Sequence, residues 1–152
     1  MLFRSVLDAY IVDKVSQILN LIQPFVDEGK ILSRSKDEIE QNINDFVLLF
    51  NDDQLIACAG LKDCQEGAVG EVYSLAVAQN VQNKGLSKKL LTKILESAKQ
   101  RQFAKIFALT KFGTNWFTKN GFTQMQISDL PSKRQQYFNH DRNSSIFFKD
   151  VN

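Results

Sequence analysis

The chain has 152 residues, 43% of them apolar and 24% charged, which is the make-up of a globular protein with one sizeable core and excludes a disordered or fibrous chain. A net charge of +2 is too small to point to nucleic acid or an acidic membrane surface, and no apolar run is long enough to cross a bilayer. A single histidine, His140, and two cysteines, Cys58 and Cys64, make no ligand set for a structural zinc site, so no metal is expected.

In chain order, Leu2 to Val6 reads as a short first strand, and Asp8 is placed to cap a helix. Ile11, Val15, Ile18, Leu19 and Ile22 then recur at helical spacing until Pro24 interrupts or kinks the helix before Gly29. Ser35 stands three residues ahead of Glu38, a capping-box spacing that predicts a second helix from Lys36 to about Asn44. Residues 31–34 are then an exposed connector. FVLLF (Phe46 to Phe50) and LIACAGL (Leu55 to Leu61) read as strands joined by a polar turn, and a third strand is predicted from about Val69 to Val77, which makes three consecutive antiparallel strands.

An amphipathic helix follows, with Leu86, Leu90, Leu91, Ile94, Leu95 and Ala98 on one face and lysines on the other. KIFAL (Lys105 to Leu109) reads as a buried strand, Thr114 to Asn120 as a short helix stopped by Gly121, and Phe122 to Ile127 as another strand. A helix from Ser132 to about Phe138 and a strand from Ser144 to Lys149 close the chain. Phe46, Phe50, Phe103, Phe107, Phe122, Phe147 and Phe148 are assigned to the core, while Lys133 and Arg134 read as solvated helix surface. No repeat, low-complexity tract or linker interrupts the sequence, so residues 1–152 are expected to form a single domain. Cys58 lies in an apolar run and reads as a buried thiol. With neither a signal peptide nor an arginine-rich transit peptide at the start of the sequence, a reducing cytoplasmic setting is expected.

The stretch from Val77 to Lys99 carries the most chemistry. It passes from the apolar strand LAV through Lys84, Gly85 and Leu86 into the amphipathic helix. The first amides of a helix lack intrahelical acceptors and share the positive end of the macrodipole, so a phosphate or pyrophosphate is the natural guest there. Gly85 lets the backbone approach such an anion, and Gln82, Lys84, Lys88 and Lys89 add donors and charge. Neither G-x-x-x-x-G-K-[ST] nor G-x-G-x-x-G is present, which removes support for P-loop nucleotides and Rossmann dinucleotides. A glycine that only eases a loop into a solvated, lysine-rich helix is the bland alternative.

Gln82-x-x-Gly85-x-Ser87 resembles the acyl-CoA pyrophosphate loop of the GNAT superfamily of N-acetyltransferases, [QR]-x-x-G-x-[GA], with Ser87 in place of the usual Gly or Ala. The order of predicted elements and the Gly121-Phe122 pair after a short helix are similar to that superfamily as well. The resemblance implies an α/β (α+β) fold with a mixed sheet, flanked by helices and splayed where acyl-CoA enters. It implies acetyl-CoA as cosubstrate: the main chain at Leu75, Ala76 and Val77 would meet the pantetheine arm, and Gln82, Asn83, Lys84, Gly85, Leu86, Ser87 and Lys88 the pyrophosphate. Glu71 occupies the position where many members carry the glutamate that takes the proton of the amine. The usual acid, a tyrosine four residues before the Gly-Phe pair, is here Phe117, which cannot donate a proton.

Within the superfamily, ILSRS (Ile31 to Ser35), LTKFGTNWFTKNGF (Leu109 to Phe122) and LPSKRQQYFNHDRNSS (Leu130 to Ser145) look like the acetyltransferase domain of the N-acetylglutamate synthases. That resemblance implies that Leu32, Arg34, Ser74, Arg142 and Ser144 bind the acceptor, and it places Thr110 near a hydroxyl acid. Two arginines suit a substrate with two carboxylates, since a guanidinium binds a carboxylate bidentately. The expected activity is direct transfer of acetyl to the α-amine of L-glutamate in arginine biosynthesis. The alternatives are another small amine or amino acid as acceptor, or an acyl-CoA-binding module without turnover. Partners are limited to the small-molecule amine, with no nucleic acid and no membrane, and a homodimer is left open.

Overall fold

The computed structural model describes residues 2–81 and 85–152. Its elements are α1 (Leu2–Asp27), α2 (Lys36–Gln41), β1 (Phe46–Asn51), β2 (Gln54–Asp63), β3 (Val69–Val77), α3 (Leu86–Gln100), β4 (Lys105–Thr110), α4 (Thr114–Lys119), β5 (Thr123–Met125), α5 (Ser132–Gln136) and β6 (Ser145–Asp150), with short 3-10 turns between some of them. The six strands are ordered β1-β2-β3-β4-β6-β5. β3 and β4 run parallel and are connected through α3, whereas β4 with β6 and β5 with β6 run antiparallel, so the sheet is mixed as expected.

The expected first strand is absent, because α1 already begins at Leu2. No Gly or Pro occurs before Pro24, so nothing in the sequence stops the helical spacing from extending backward, and Asp8 lies inside the helix instead of capping it. Pro24 is also inside α1, which continues to Asp27. A proline has no N–H to give to the carbonyl four residues before it, but this close to the helix end only one such bond is forfeited.

The chain divides into two compact units, Met1–Ala59 with Ser74–Leu90, and Gly60–Tyr73 with Leu91–Asn152. The first unit has a core of Val15, Ile18 and Ile22 from α1, Ile39 from α2, Leu55 and Cys58 from β2, and Ala76 from β3. Ser35 caps α2 by accepting from the Glu38 amide at 3.1 Å. The helix ends at Gln41, short of Asn44, where a 3-10 turn takes over. β1 and β2 are joined by Asp52 and Asp53, a connection short enough only for antiparallel neighbours. Phe50 is 41% exposed, contrary to its core assignment, because β1 is an edge strand and Phe50 sits beside its turn.

In the second unit, Val69, Phe107, Leu130, Phe138, Ile146 and Phe148 form one buried cluster. Phe117 stacks on Phe147 with ring centroids 5.4 Å apart and meets Trp116 and Phe122 edge-on at 5.0 and 5.1 Å. Gly70 has no room for a side chain, since a Cβ there would fall 2.8 Å from the Phe103 ring. The apolar face expected for α3 is realised by Leu90, Leu91, Ile94 and Ala98, all buried.

Candidate active site

Of the residues singled out in the sequence, β3 carries Glu71, Ser74, Leu75, Ala76 and Val77, and its burial alternates over most of its length. Its ladder with β4 runs from Val69 opposite Lys105 to Val72 opposite Ala108, and the strand continues for five residues beyond that, through Ser74, Leu75, Ala76 and Val77. Ser74 has φ of +49°, a left-handed conformation inside a strand. It is also a buried polar side chain, 7% exposed.

In the first unit, Arg34 Nε donates to Ser74 Oγ at 3.2 Å, which brings together two of the residues predicted to bind the acceptor. The Glu38 carboxylate stands 3.6 Å from Arg34 Nη1. Leu32, in the connector before α2, is 50% exposed. Below Ser74, the Cys58 thiol donates to the Ser74 carbonyl at 3.5 Å, and burial pushes this thiol from its ordinary 9.0 up to about 12.

Gln82, Asn83 and Lys84 lie outside the described residues. Gly85, next in the chain, has φ of +74°, and a Cβ built on it would meet none of the described residues within 4 Å. Its backbone angle therefore favours glycine there. Leu86, Ser87 and Lys88 form the first turn of α3, whose leading amides have no acceptor within the helix. A left-handed glycine leading into a helix N-terminus is what a diphosphate needs, so the described part of the loop fits the coenzyme. A cavity of about 460 Å³ elsewhere in this unit, lined in part by Gln17, Asn20, Pro24 and Phe25, contains none of the predicted site residues.

In the second unit Glu71 is not a solvated carboxylate. Arg134 Nε donates to its Oε1 at 2.7 Å and Arg134 Nη2 to its Oε2 at 3.3 Å. The side chains are only 24% (Arg134) and 15% (Glu71) exposed, so the reading of Arg134 as solvated helix surface is corrected: its guanidinium turns inward onto β3. The third nitrogen, Nη1, donates to the Tyr137 carbonyl at 2.9 Å. Cys64 lies close by. Burial pushes its thiol up to about 11, and the Glu71 charge pushes in the same direction.

Thr110, at the end of β4, uses its hydroxyl locally, donating to the Phe112 carbonyl and accepting from the Phe112 amide. Arg142 ends a 3-10 turn capped by the Asn139 side chain, and both Arg142 and Ser144 are half-buried just before β6. Phe117, at the position of the usual acid, is a buried member of the aromatic cluster. His140 is exposed, its ring edge-on to Phe138 at 5.0 Å. Among the described residues no three His, Cys, Asp or Glu side chains gather as metal ligands, and no helix is long and apolar enough to cross a membrane.

Known proteins resemble this chain over most of its length. The amino-acid acetyltransferase of Escherichia coli (strain K12) is 32% identical over 140 residues, which is 92% of this chain and 32% of that protein. That of Aeromonas salmonicida (strain A449) is 30% identical over the same length. The chain thus spans about a third of the length of the curated relatives it matches. Among solved structures, N-acetylglutamate synthase from Neisseria gonorrhoeae complexed with coenzyme A and N-acetyl-glutamate superposes with a TM-score of 0.84 at 32% identity, covering 89% of this chain and 32% of that one. A GNAT-family acetyltransferase from Staphylococcus aureus Mu50 shares the fold at 21% identity, with a TM-score of 0.73 and 92% and 94% of the two chains covered. Residues 12–122 match the acetyltransferase (GNAT) family, and the chain belongs to that family.

Proposed function

We propose that this chain transfers the acetyl group of acetyl-CoA to the α-amine of L-glutamate, the acetylation that opens arginine biosynthesis, in the cytoplasm. The observation that carries the choice of acceptor is the Arg34–Ser74 contact on β3. It sets a guanidinium at the residue before Leu75, within the chain's likeness to an N-acetylglutamate synthase complexed with N-acetyl-glutamate. Arg34 and Arg142, with Ser74 and Ser144 beside them, would take the two carboxylates of glutamate through charge-assisted bonds.

Acetyl-CoA supplies an activated thioester carbonyl when bound. The amides at Gly85, Leu86 and Ser87 hold its diphosphate, with Gln82, Asn83, Lys84 and Lys88 around it, and the main chain of Leu75 to Val77 aligns the pantetheine arm. Glu71 takes a proton from the substrate ammonium, directly or through a water, so that the neutral nitrogen can form the new C–N bond while the C–S bond breaks. Main-chain amides of β3 offset the negative charge that develops on the carbonyl oxygen. Thr110 is the hydroxyl assigned to the leaving thiolate, a role that requires its local bond to Phe112 to open.

The test is thiol release from acetyl-CoA with glutamate, aspartate, glutamine, lysine and spermidine as acceptors. Glutamate is expected to give the highest kcat/KM. A preference for spermidine would remove the two-carboxylate argument and leave an acetyltransferase for a different amine. Tight acetyl-CoA binding with no thiol release from any acceptor would point to a binding module, the reading motivated by Phe117 in place of a proton donor.

A further inference from the structure

We propose that Arg134 is a positioning residue for this reaction: its guanidinium holds the Glu71 carboxylate in one orientation on β3. The inference rests on Glu71 being the base of the proposed function. It starts from geometry that a single ionic contact would not supply. Two nitrogens of one planar group engage both oxygens, at 2.7 and 3.3 Å, which fixes the plane of the carboxylate as well as its distance. The third nitrogen is tied to the Tyr137 carbonyl at 2.9 Å, so the guanidinium is itself held.

Fastening α5 does not need this pair. Glu66, in the turn between β2 and β3, accepts from the Ser132 and Lys133 amides at 3.1 and 3.3 Å. Gln135 Nε2 donates to the Leu130 carbonyl at 2.8 Å. The start of α5 is thus anchored independently, and Arg134 adds a contact aimed at one side chain of β3. A solvated ion pair contributes little and reorients freely, but this one is mostly withdrawn from water. Each carboxylate oxygen has two acceptor sites. The fork occupies one on each oxygen and leaves the others to face an incoming ammonium or its bridging water, so the arginine constrains Glu71 without blocking it.

The experiment is a mutant cycle in the thiol-release assay, run with whichever acceptor the wild type turns over fastest. Arg134→Ala is expected to lower kcat by about 10-fold or more, the scale of a misplaced catalytic group, with the acetyl-CoA KM unchanged. Added guanidinium ion should restore part of the rate. Arg134→Lys should remain impaired, because an ammonium cannot fork, and this variant carries the test if the alanine variant does not fold. The double variant Glu71→Gln/Arg134→Ala should be no slower than Glu71→Gln alone, since a residue that acts through Glu71 has nothing left to act on.

A double variant slowed by the full factor of each single change overturns the proposal, as does an Arg134 variant with unchanged kcat and a raised acceptor KM, which would make Arg134 a binding residue. Full activity of Glu71→Gln overturns the assigned base, and this inference with it, while leaving acetyl transfer in place. A wild type silent toward every amine overturns both the proposed function and the inference.

Discussion

Arg34 and Arg134 both reach side chains of β3, and they meet different chemistry there. Arg34 donates to the neutral Ser74 hydroxyl at 3.2 Å, and the Glu38 carboxylate that stands 3.6 Å away has 54% of its side chain exposed. Arg134 grips a carboxylate with two nitrogens in a pair largely shielded from water. An anion arriving at Arg34 competes, among that residue's contacts, with a hydroxyl and a solvent-screened acid. One arriving at Arg134 must displace a bidentate partner. On the proposed function, residues of the same kind would serve different tasks, reception at Arg34 and restraint at Arg134. Each contact also has a thiol beside it, Cys58 under Ser74 and Cys64 next to Glu71.

The contrast breaks most sharply at Glu71. Replacing it with Gln should lower kcat by about 10² to 10⁴, the usual range for general base catalysis, with the loss shrinking at high pH as the acceptor amine sheds its proton in solution. Rate profiles of the variant that run parallel to wild type at all pH values would take the base role away from Glu71. Arg34→Ala should act on binding instead. Losing a charge-assisted bond of about 1.5–3 kcal/mol should raise the glutamate KM about 10- to 100-fold, with little change for acetyl-CoA. Arg142→Ala should behave in the same way, and equal effects on both substrates would detach these arginines from the acceptor.

The two thiols supply a smaller and slower readout. Both are pushed above their ordinary 9.0, Cys58 to about 12 and Cys64 to about 11, with burial as the first cause in each. A raised thiol favours the fold while it stays protonated. This contribution is complete below about pH 9 and drains away as the pH climbs through 11 and 12. Thermal melts between pH 8 and pH 11 should show the decline, and Cys58→Ala should flatten part of it. Under native conditions a thiol reagent should reach half-buried Cys64 before buried Cys58; the reverse order would mean that the first unit opens more readily than its core indicates.

Much of this architecture was legible before any coordinates. β3 spans Val69–Val77 as predicted, and α3 starts at Leu86, directly after a glycine whose positive φ marks the turn. Local patterns carried those elements, so local reasoning found them. The partnership of Arg134 is a different kind of fact. It joins residues 63 positions apart, and an arginine following a lysine on a short polar helix looks like surface. The available hint was its place in the same matched stretch, LPSKRQQYFNHDRNSS, that drew attention to Arg142. The beginning of α1 was missed for the opposite reason: five residues of mixed pattern fit a strand or a helix equally well, and the longer helix downstream decided the outcome.

The backbone at Ser74 inverts a familiar ranking of replacements. In most strands glycine loosens the chain and alanine is the milder change, but at φ of +49° any Cβ carries a penalty of about 1–2 kcal/mol that glycine escapes. Ser74→Gly should therefore unfold at a higher temperature than Ser74→Ala, although both lack the hydroxyl that meets Arg34. Comparing their melts with their glutamate KM values would separate the cost of the bent backbone from the value of the hydroxyl, two quantities that a single alanine substitution blends.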